Sequence, residues 1–157
     1  MKVFISCPFT GLCKDEDYEV KDEYKPFFEK MTSEFEKRNI DYYLAIKREN
    51  WGKEHKGPEE CTYSDYEGVK NSDFLIVIPG NSISNGISGG VHIELGWASA
   101  LKKKIHILLE DNFQYSPVVM GLSKLTPTDY HKCNGFLDNE MLKIILSICT
   151  EEINKNC

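Results

Sequence analysis

Short apolar runs alternate with segments of helical spacing along most of the chain. Four runs predict buried strands: KVFISC (2–7), DYYLAIK (41–47), FLIVIPG (74–80) and KKIHILLED (103–111). Residues 26–39 and 137–155 space their apolar side chains as amphipathic helices do. Further helices are predicted for 64–73, capped by Ser64, and for the segment after Gly90. This order predicts an α/β fold of the Rossmann-like (flavodoxin-like) kind, with a parallel sheet of about five strands and helices on both faces.

Two polar segments interrupt this pattern. Residues 48–63 read as a long polar connection, and GNSISNGISGG (80–90) reads as a loop of small residues. In open parallel sheets, ligands bind beyond the carboxyl ends of the strands, near the switch in strand order. We therefore expect the loops after KVFISC and FLIVIPG, together with the start of the next helix, to line one crevice.

Size, charge and cysteine content narrow the class of protein. A chain of 157 residues is expected to form one domain, 1–157. The net charge of -6 argues against non-specific nucleic-acid binding, and no apolar run approaches the ~20 residues of a membrane span. The start MKVFISCPF lacks the features of a signal peptide. Six scattered cysteines without a CxxC pair indicate free thiols in a cytoplasmic protein, and neither a metal nor another cofactor is predicted.

Glu94 stands out because it lies among apolar residues in VHIELGWAS, near the start of a predicted helix. One interpretation is that the carboxylate only complements the helix dipole. The other is that it is held in the crevice, because Val91, Ala98 and Leu101 share its helix face. Carboxylates held in this way act as nucleophiles or acids at anomeric carbons.

A second carboxylate and a possible anion site lie nearby in the predicted fold. Asp65, expected near the start of its helix, is the candidate partner for acid–base work on a glycosidic bond. Ser88 and the glycines Gly86, Gly89 and Gly90 precede the helix of Glu94, where free backbone N–H groups favour an anion. An ordinary helix cap explains the same residues equally well. Neither a P-loop nor a dinucleotide fingerprint is present.

Several motifs in order resemble one family. They are VFISCPF (3–9), KRENWGKE (47–54), PEECTYSDYEGVKNSDFLIVIPG (58–80), VHIELGWAS (91–99) and VVMGLSK (118–124). Together they resemble the nucleoside 2-deoxyribosyltransferase-like superfamily, and most closely the CMP N-glycosidases (CMP hydrolases) of the mildiomycin and blasticidin pathways. A single ELGxA motif is a weak signal, whereas the ordered set spans most of the chain.

The resemblance implies a role for each matching residue. Glu94 would be the nucleophile, and Asp65 would help the base depart as a proton donor or as an orienting group. Ser88 occupies the position at which the similar deoxyribosyltransferases have Asp. A neutral residue there suits a 5′-phosphate, because it does not repel the negative charge. The remaining substrate-binding residues implied are Gly89, Gly90, Cys7, Phe9, Thr10 and, from a neighbouring subunit, Ser116. Thr10 replaces the Arg of the mildiomycin-type enzyme, which favours plain over hydroxymethylated cytosine, and Phe4 replaces the superfamily's usual Tyr.

The resemblance thus implies hydrolysis of the N-glycosidic bond of a pyrimidine nucleoside 5′-monophosphate, with CMP preferred, through a covalent glycosyl-Glu94 intermediate. It also implies a homodimer in which the two subunits share an active site. Two alternatives remain open at this point. One is a nucleoside 2-deoxyribosyltransferase, and the other is a non-catalytic nucleotide-sensing module. The sequence does not choose between ribose and 2′-deoxyribose.

Overall fold

A computed structural model describes residues 1–14, 18–54, 56–84 and 88–155. Its five strands are β1 Lys2–Ser6, β2 Asp41–Tyr43, β3 Phe74–Val77, β4 Lys104–Glu110 and β5 Thr128–Cys133. All neighbouring strands pair in parallel, in the order β2-β1-β3-β4-β5. This is the strand order of flavodoxin-like folds. The predicted fold class is confirmed.

Helices cover both faces of this sheet. They are α1 Lys25–Lys37, α2 Ala45–Arg48, α3 Pro58–Lys70, α4 Asn81–Ser84, α5 Gly89–Ala100, α6 Pro117–Met120 and α7 Asn139–Lys155, with 3₁₀ turns at Thr10–Leu12, Asn50–Gly52 and Leu122–Lys124. The helices α1 and α7 bury apolar residues against one face. The helices α3, α5 and α6 do so against the other face. Within the described residues no helix is long and apolar enough to cross a membrane.

Alternation along β1 decides which side chains reach each layer. Val3 and Ile5 pack in the α1/α7 layer, whereas Phe4 packs in the α3/α5 layer. Because side chains in a strand alternate between faces, Ser6 points to the same side as Phe4. The last residue of β1 therefore faces the helices that carry Asp65 and Glu94.

Three expectations about local structure were wrong. The helix predicted from Ser64 begins at Pro58 with Gly57 as its N-cap, so Ser64 and Asp65 lie inside it. Proline fits the first helical position, and Glu59 and Glu60 fit the first turn, which explains the early start. The predicted strand 41–47 ends at Tyr43, because Ala45–Arg48 turns into a short helix that buries Ile46. The connection 48–63 thus contains a 3₁₀ turn and the first half of α3.

The fifth strand is β5, Thr128–Cys133. It pairs only with β4 and forms one edge of the sheet. Charged side chains such as Asp129 and Lys132 are exposed along it, as is common on edge strands. A strand of this polarity gives little apolar signal in the sequence.

Candidate active site

The crevice lies at the carboxyl ends of the central strands. The chain leaves β1 for β2 on one side and later returns to β3 on the other, so strand order switches at β1. Ligand sites in open parallel sheets form at such a switch. Ser6 ends β1 and Tyr43 ends β2, and both lie beside residues of α3 and α5.

Glu94 is a buried carboxylate of this crevice. It is the sixth residue of α5, in the second helical turn, and is 9% exposed. Its Oε2 accepts a hydrogen bond from the hydroxyl of Ser6. Burial raises the pKa of Glu94 to about 8, and the charge of Asp65 acts in the same direction, whereas the Ser6 hydrogen bond acts against it. A carboxylate at this depth is not a solvated dipole partner, because its burial is unfavourable for the ionised form.

Asp65 lies on α3, close enough that its charge raises the pKa of Glu94. Its Oδ1 accepts hydrogen bonds from the Tyr43 hydroxyl at 2.7 Å and from Arg48 at 3.2 Å. Burial raises the pKa of Asp65, while these two donors oppose the shift. The polar contacts that the structure describes for Asp65 all use Oδ1, so Oδ2 is available to a substrate atom.

An aromatic stack fixes the Tyr43 hydroxyl. The rings of Phe4 and Tyr43 are parallel within 8°, with centroids 5.0 Å apart. A Cβ at Gly68 of α3 would lie 2.9 Å from the Phe4 ring and 3.0 Å from the Tyr43 ring, so only glycine lets the helix approach the pair. Phe4 itself offers no hydroxyl, but it supports the tyrosine of the adjacent strand. The phenolic hydroxyl beside Asp65 therefore comes from β2.

Arg48 links Asp65 to a further buried carboxylate. Its guanidinium donates to the Tyr43 hydroxyl and to Glu49, which is 1% exposed. The Cys61 thiol also contacts Glu49, at 3.2 Å. Asp65 and Glu49 together compensate the charge of a half-buried guanidinium, and they hold it beside the crevice.

The start of α5 has the geometry of an anion site. Ser88 is the N-cap, and its hydroxyl accepts a hydrogen bond from the backbone N–H of Val91 at 3.3 Å. Gly89 and Gly90 form the first turn, and a Cβ built on either would meet no atom within 4 Å. The space around these two glycines is therefore open, as an anion site at a helix N-terminus would require. Gly86, also predicted for this loop, lies outside the described residues.

The other predicted substrate-binding residues occupy different settings. Cys7 follows β1; burial and the charges of Glu94 and Asp65 raise the pKa of its thiol, so it stays protonated. Phe9 is half-buried and Thr10 is exposed at the start of a 3₁₀ turn. Ser116 caps α6 by accepting from the backbone N–H of Val118. Among the described residues, no polar contact joins Ser116 to Glu94 or Asp65.

Three residues of the crevice were missed in the sequence. Ser6, Tyr43 and Arg48 contact the two candidate carboxylates, yet the pattern analysis gave none of them a role. Ser6 and Arg48 lie inside two of the motifs quoted above, VFISCPF and KRENWGKE, and this was the signal that could have pointed to them. Tyr43 had no such signal, because it lies between motifs in an ordinary strand.

A second cluster of titratable side chains lies where α7 covers β4 and β5. The Nδ1 of His106 is 3.0 Å from His131 Nε2 and 3.8 Å from Asp129 Oδ2, and its Nε2 is 3.4 Å from Glu152 Oε1. The ammonium of Lys104 lies 2.6 Å from the same oxygen of Asp129. Since a protein cation already neutralises this carboxylate, the cluster forms an ion-paired network, and we assign it no ligand.

The fold and the crevice define an α/β protein with a buried carboxylate at the switch point and a second carboxylate beside it. No family model matches the chain, and no curated protein matches it. Several solved structures are similar to the chain. The chain is 30% identical to BlsM, with a TM-score of 0.68, and covers 91% of that protein and 92% of its own length.

Two further structures are similar. The CMP N-glycosidase BcmB of Clostridium botulinum is 26% identical, with a TM-score of 0.64, over 98% of that chain and 92% of this one. A 2-deoxyribosyltransferase of Bacillus psychrosaccharolyticus shares the fold at 15% identity, with a TM-score of 0.56, over 96% and 90%. The chain belongs to the nucleoside 2-deoxyribosyltransferase-like superfamily and resembles the CMP N-glycosidases within it.

Proposed function

We propose that the protein is an enzyme that hydrolyses the N-glycosidic bond of a pyrimidine nucleoside 5′-monophosphate, preferably CMP. The products are the free base and ribose 5-phosphate. The observation that carries this proposal is Glu94, which is buried, accepts a hydrogen bond from Ser6, and is close enough to Asp65 for the charge of Asp65 to raise its pKa. The similarity to a CMP N-glycosidase supports the choice of reaction and substrate.

The reaction proceeds in two displacements at the anomeric carbon. A carboxylate oxygen of Glu94 forms an ester with C1′ while the bond from C1′ to the base nitrogen breaks. The departing base takes the proton of Asp65. Water then attacks C1′, its hydroxyl replaces the ester, and its proton returns to Asp65. An ionised Glu94 suits both steps, because each passes through an oxocarbenium-like transition state.

Asp65 suits the role of proton donor in part. Burial raises the pKa of its carboxyl, which favours the protonated acid. Since its described polar contacts use Oδ1, Oδ2 is proposed to face the base. Tyr43 and Arg48 hold Oδ1 in place and favour the ionised form that remains after proton transfer. The same two contacts would serve an Asp65 that only orients the base.

The phosphate is proposed to bind at the first turn of α5. Backbone N–H groups at a helix N-terminus and the helix dipole favour a dianion there, and the space around Gly89 and Gly90 is open. Ser88 caps the helix without adding a negative charge. Phe9 is proposed to contact the base face, and Thr10 its edge, where a small side chain fits plain cytosine. Cys7, as a protonated thiol near both carboxylates, is proposed to contact the sugar.

The test is incubation with CMP, UMP, dCMP and cytidine, with free base and sugar phosphate measured by chromatography. CMP should release cytosine, whereas cytidine should not. Glu94→Gln should abolish release while CMP still binds in calorimetry. The matched control is Glu67→Gln on α3, a partly exposed carboxylate that should be replaceable with full activity. Transfer of the sugar to an added second base would instead establish a transferase. Binding without release by the unmodified protein would establish a sensor.

We also propose that two copies of the chain pair through the α5/α6 side. Ile93 on α5 is 54% exposed and Val118 on α6 is 77% exposed, and both helices pack on one face of the sheet. A contiguous patch of exposed apolar side chains marks an interaction surface, and these two residues are the proposed centre of one. In such a dimer, Ser116, directly before α6, is proposed to contact the neighbouring subunit's substrate. Sedimentation should give a dimer that Ile93→Glu converts to a monomer; a monomeric unmodified protein would refute this.

A further inference from the structure

We propose that Ser6 is a positioning residue that holds Glu94 for attack on the sugar. This inference rests on the proposed role of Glu94 as the nucleophile. Ser6 is the last residue of β1 and is 1% exposed, and its hydroxyl donates to Oε2 of Glu94. The sequence motifs gave Ser6 no role.

The hydroxyl of Ser6 comes from a rigid part of the molecule. The strand β1 lies between β2 and β3, and the backbone carbonyl of Ser6 accepts a hydrogen bond from Ile78 at 2.8 Å. Its neighbours along the strand, Phe4 and Ile5, are apolar, as is usual for a sheet covered on both faces. A buried hydroxyl at such a position is unfavourable unless it is hydrogen-bonded. The hydrogen bond to Glu94 therefore explains why a serine occupies this buried position.

The contact also orients the nucleophile. Because Ser6 engages Oε2, the carboxylate plane is fixed and Oε1 remains for the anomeric carbon. The Cys7 thiol after β1 and the Tyr43 hydroxyl on β2 lie close enough to Glu94 for its charge to raise their pKa. Asp65 on α3, which is hydrogen-bonded to Arg48, in turn raises the pKa of Glu94. Among the influences on Glu94, burial and the charge of Asp65 oppose ionisation, while the Ser6 hydrogen bond favours it.

The first test compares Ser6→Ala with Ser72→Ala. Ser72 is a matched control, because it is also buried and its hydroxyl bonds to a backbone carbonyl, that of Gly68, at 2.7 Å. Ser6→Ala should lower kcat for CMP about 10- to 100-fold, the range for a hydrogen bond to a charged group, with KM changed less than about threefold. The acidic limb of its kcat/KM profile should move up by about one pH unit. Ser72→Ala should change neither, and Ser6→Thr should restore both.

A second measurement does not depend on activity. The carboxyl carbon of Glu94, labelled with ¹³C and assigned by its loss in Glu94→Gln, is titrated by NMR in the unmodified protein and in Ser6→Ala. The Ser6→Ala titration should lie at higher pH. An unchanged titration, or a fall in kcat no larger than that of Ser72→Ala, overturns the role of Ser6. Absence of base release from the unmodified protein would instead refute the proposed function, while the NMR titration still decides whether Ser6 controls Glu94.

Discussion

Replacing Glu94 by Gln should make the protein more stable, and increasingly so as the pH rises. Glutamine keeps the shape and accepts the Ser6 hydrogen bond, but it cannot ionise. In the folded protein burial raises the pKa of Glu94 from 4.5 to about 8. A carboxyl group with a raised folded-state pKa stabilises the fold only while it is protonated, so its contribution is lost as the pH rises through that range.

The size of the effect follows from the shift. Each pKa unit corresponds to about 1.4 kcal/mol, so a shift from 4.5 to about 8 gives roughly 5 kcal/mol when titration is complete. Between these pKa values the unfolded chain is ionised and the folded one is not. The difference in free energy of unfolding between Glu94→Gln and the unmodified protein should therefore increase by about 1.4 kcal/mol per pH unit. It should reach about 3 kcal/mol near pH 7 and level off above about pH 8.

The assay is urea unfolding of both proteins at several pH values from about pH 4 to about pH 9, with m-values compared to exclude a change in the unfolded state. Glu67→Gln is the control, because Lys70 lowers the pKa of the partly exposed Glu67, so this substitution should give no gain in stability at alkaline pH. A Glu94→Gln difference that stays constant with pH would refute the reasoning. It would mean that Glu94 is ionised in the fold at no cost, so that burial does not control its protonation.

Two further predictions concern the anion site and the ring stack. Ser88→Asp should raise KM for CMP about tenfold or more but leave any turnover of cytidine unchanged, because Asp caps helices as well as Ser does and adds only charge. Ser88→Asn is the neutral control. Equal effects of Ser88→Asp on both substrates would contradict the phosphate assignment. Gly68→Ala should destabilise the fold by about 1–2 kcal/mol and lower kcat, because its Cβ displaces the rings of Phe4 and Tyr43. Gly96→Ala in α5, where a Cβ meets nothing within 4 Å, should stabilise by about 0.5–1 kcal/mol in thermal unfolding. Equal behaviour of these two alanine variants would show that the stack does not limit the approach of α3.

The apolar runs of the central strands were sufficient to predict the fold. β1, β3 and β4 are buried on both faces, so each reads as a continuous hydrophobic run. The edge strands were harder, since β2 has only three residues and β5 is polar. For α3, the apolar pattern starts late, at Gly68 and Val69, although Gly57-Pro58 followed by two glutamates marks the true start. Local composition thus predicted the centre of the sheet better than its borders.

For the site, the sequence alone singled out Glu94, Asp65 and Ser88, because their spacing and the apolar setting of Glu94 are properties of the chain itself. Only the tertiary structure decided how the carboxylates are held. Ser6 and Glu94 are 88 residues apart, and Tyr43 and Asp65 are 22 apart. Such contacts depend on strand order and on which way each strand residue points, and neither is encoded locally. Burial, which raises the pKa of Glu94, is likewise a property of the packed layers and not of any segment.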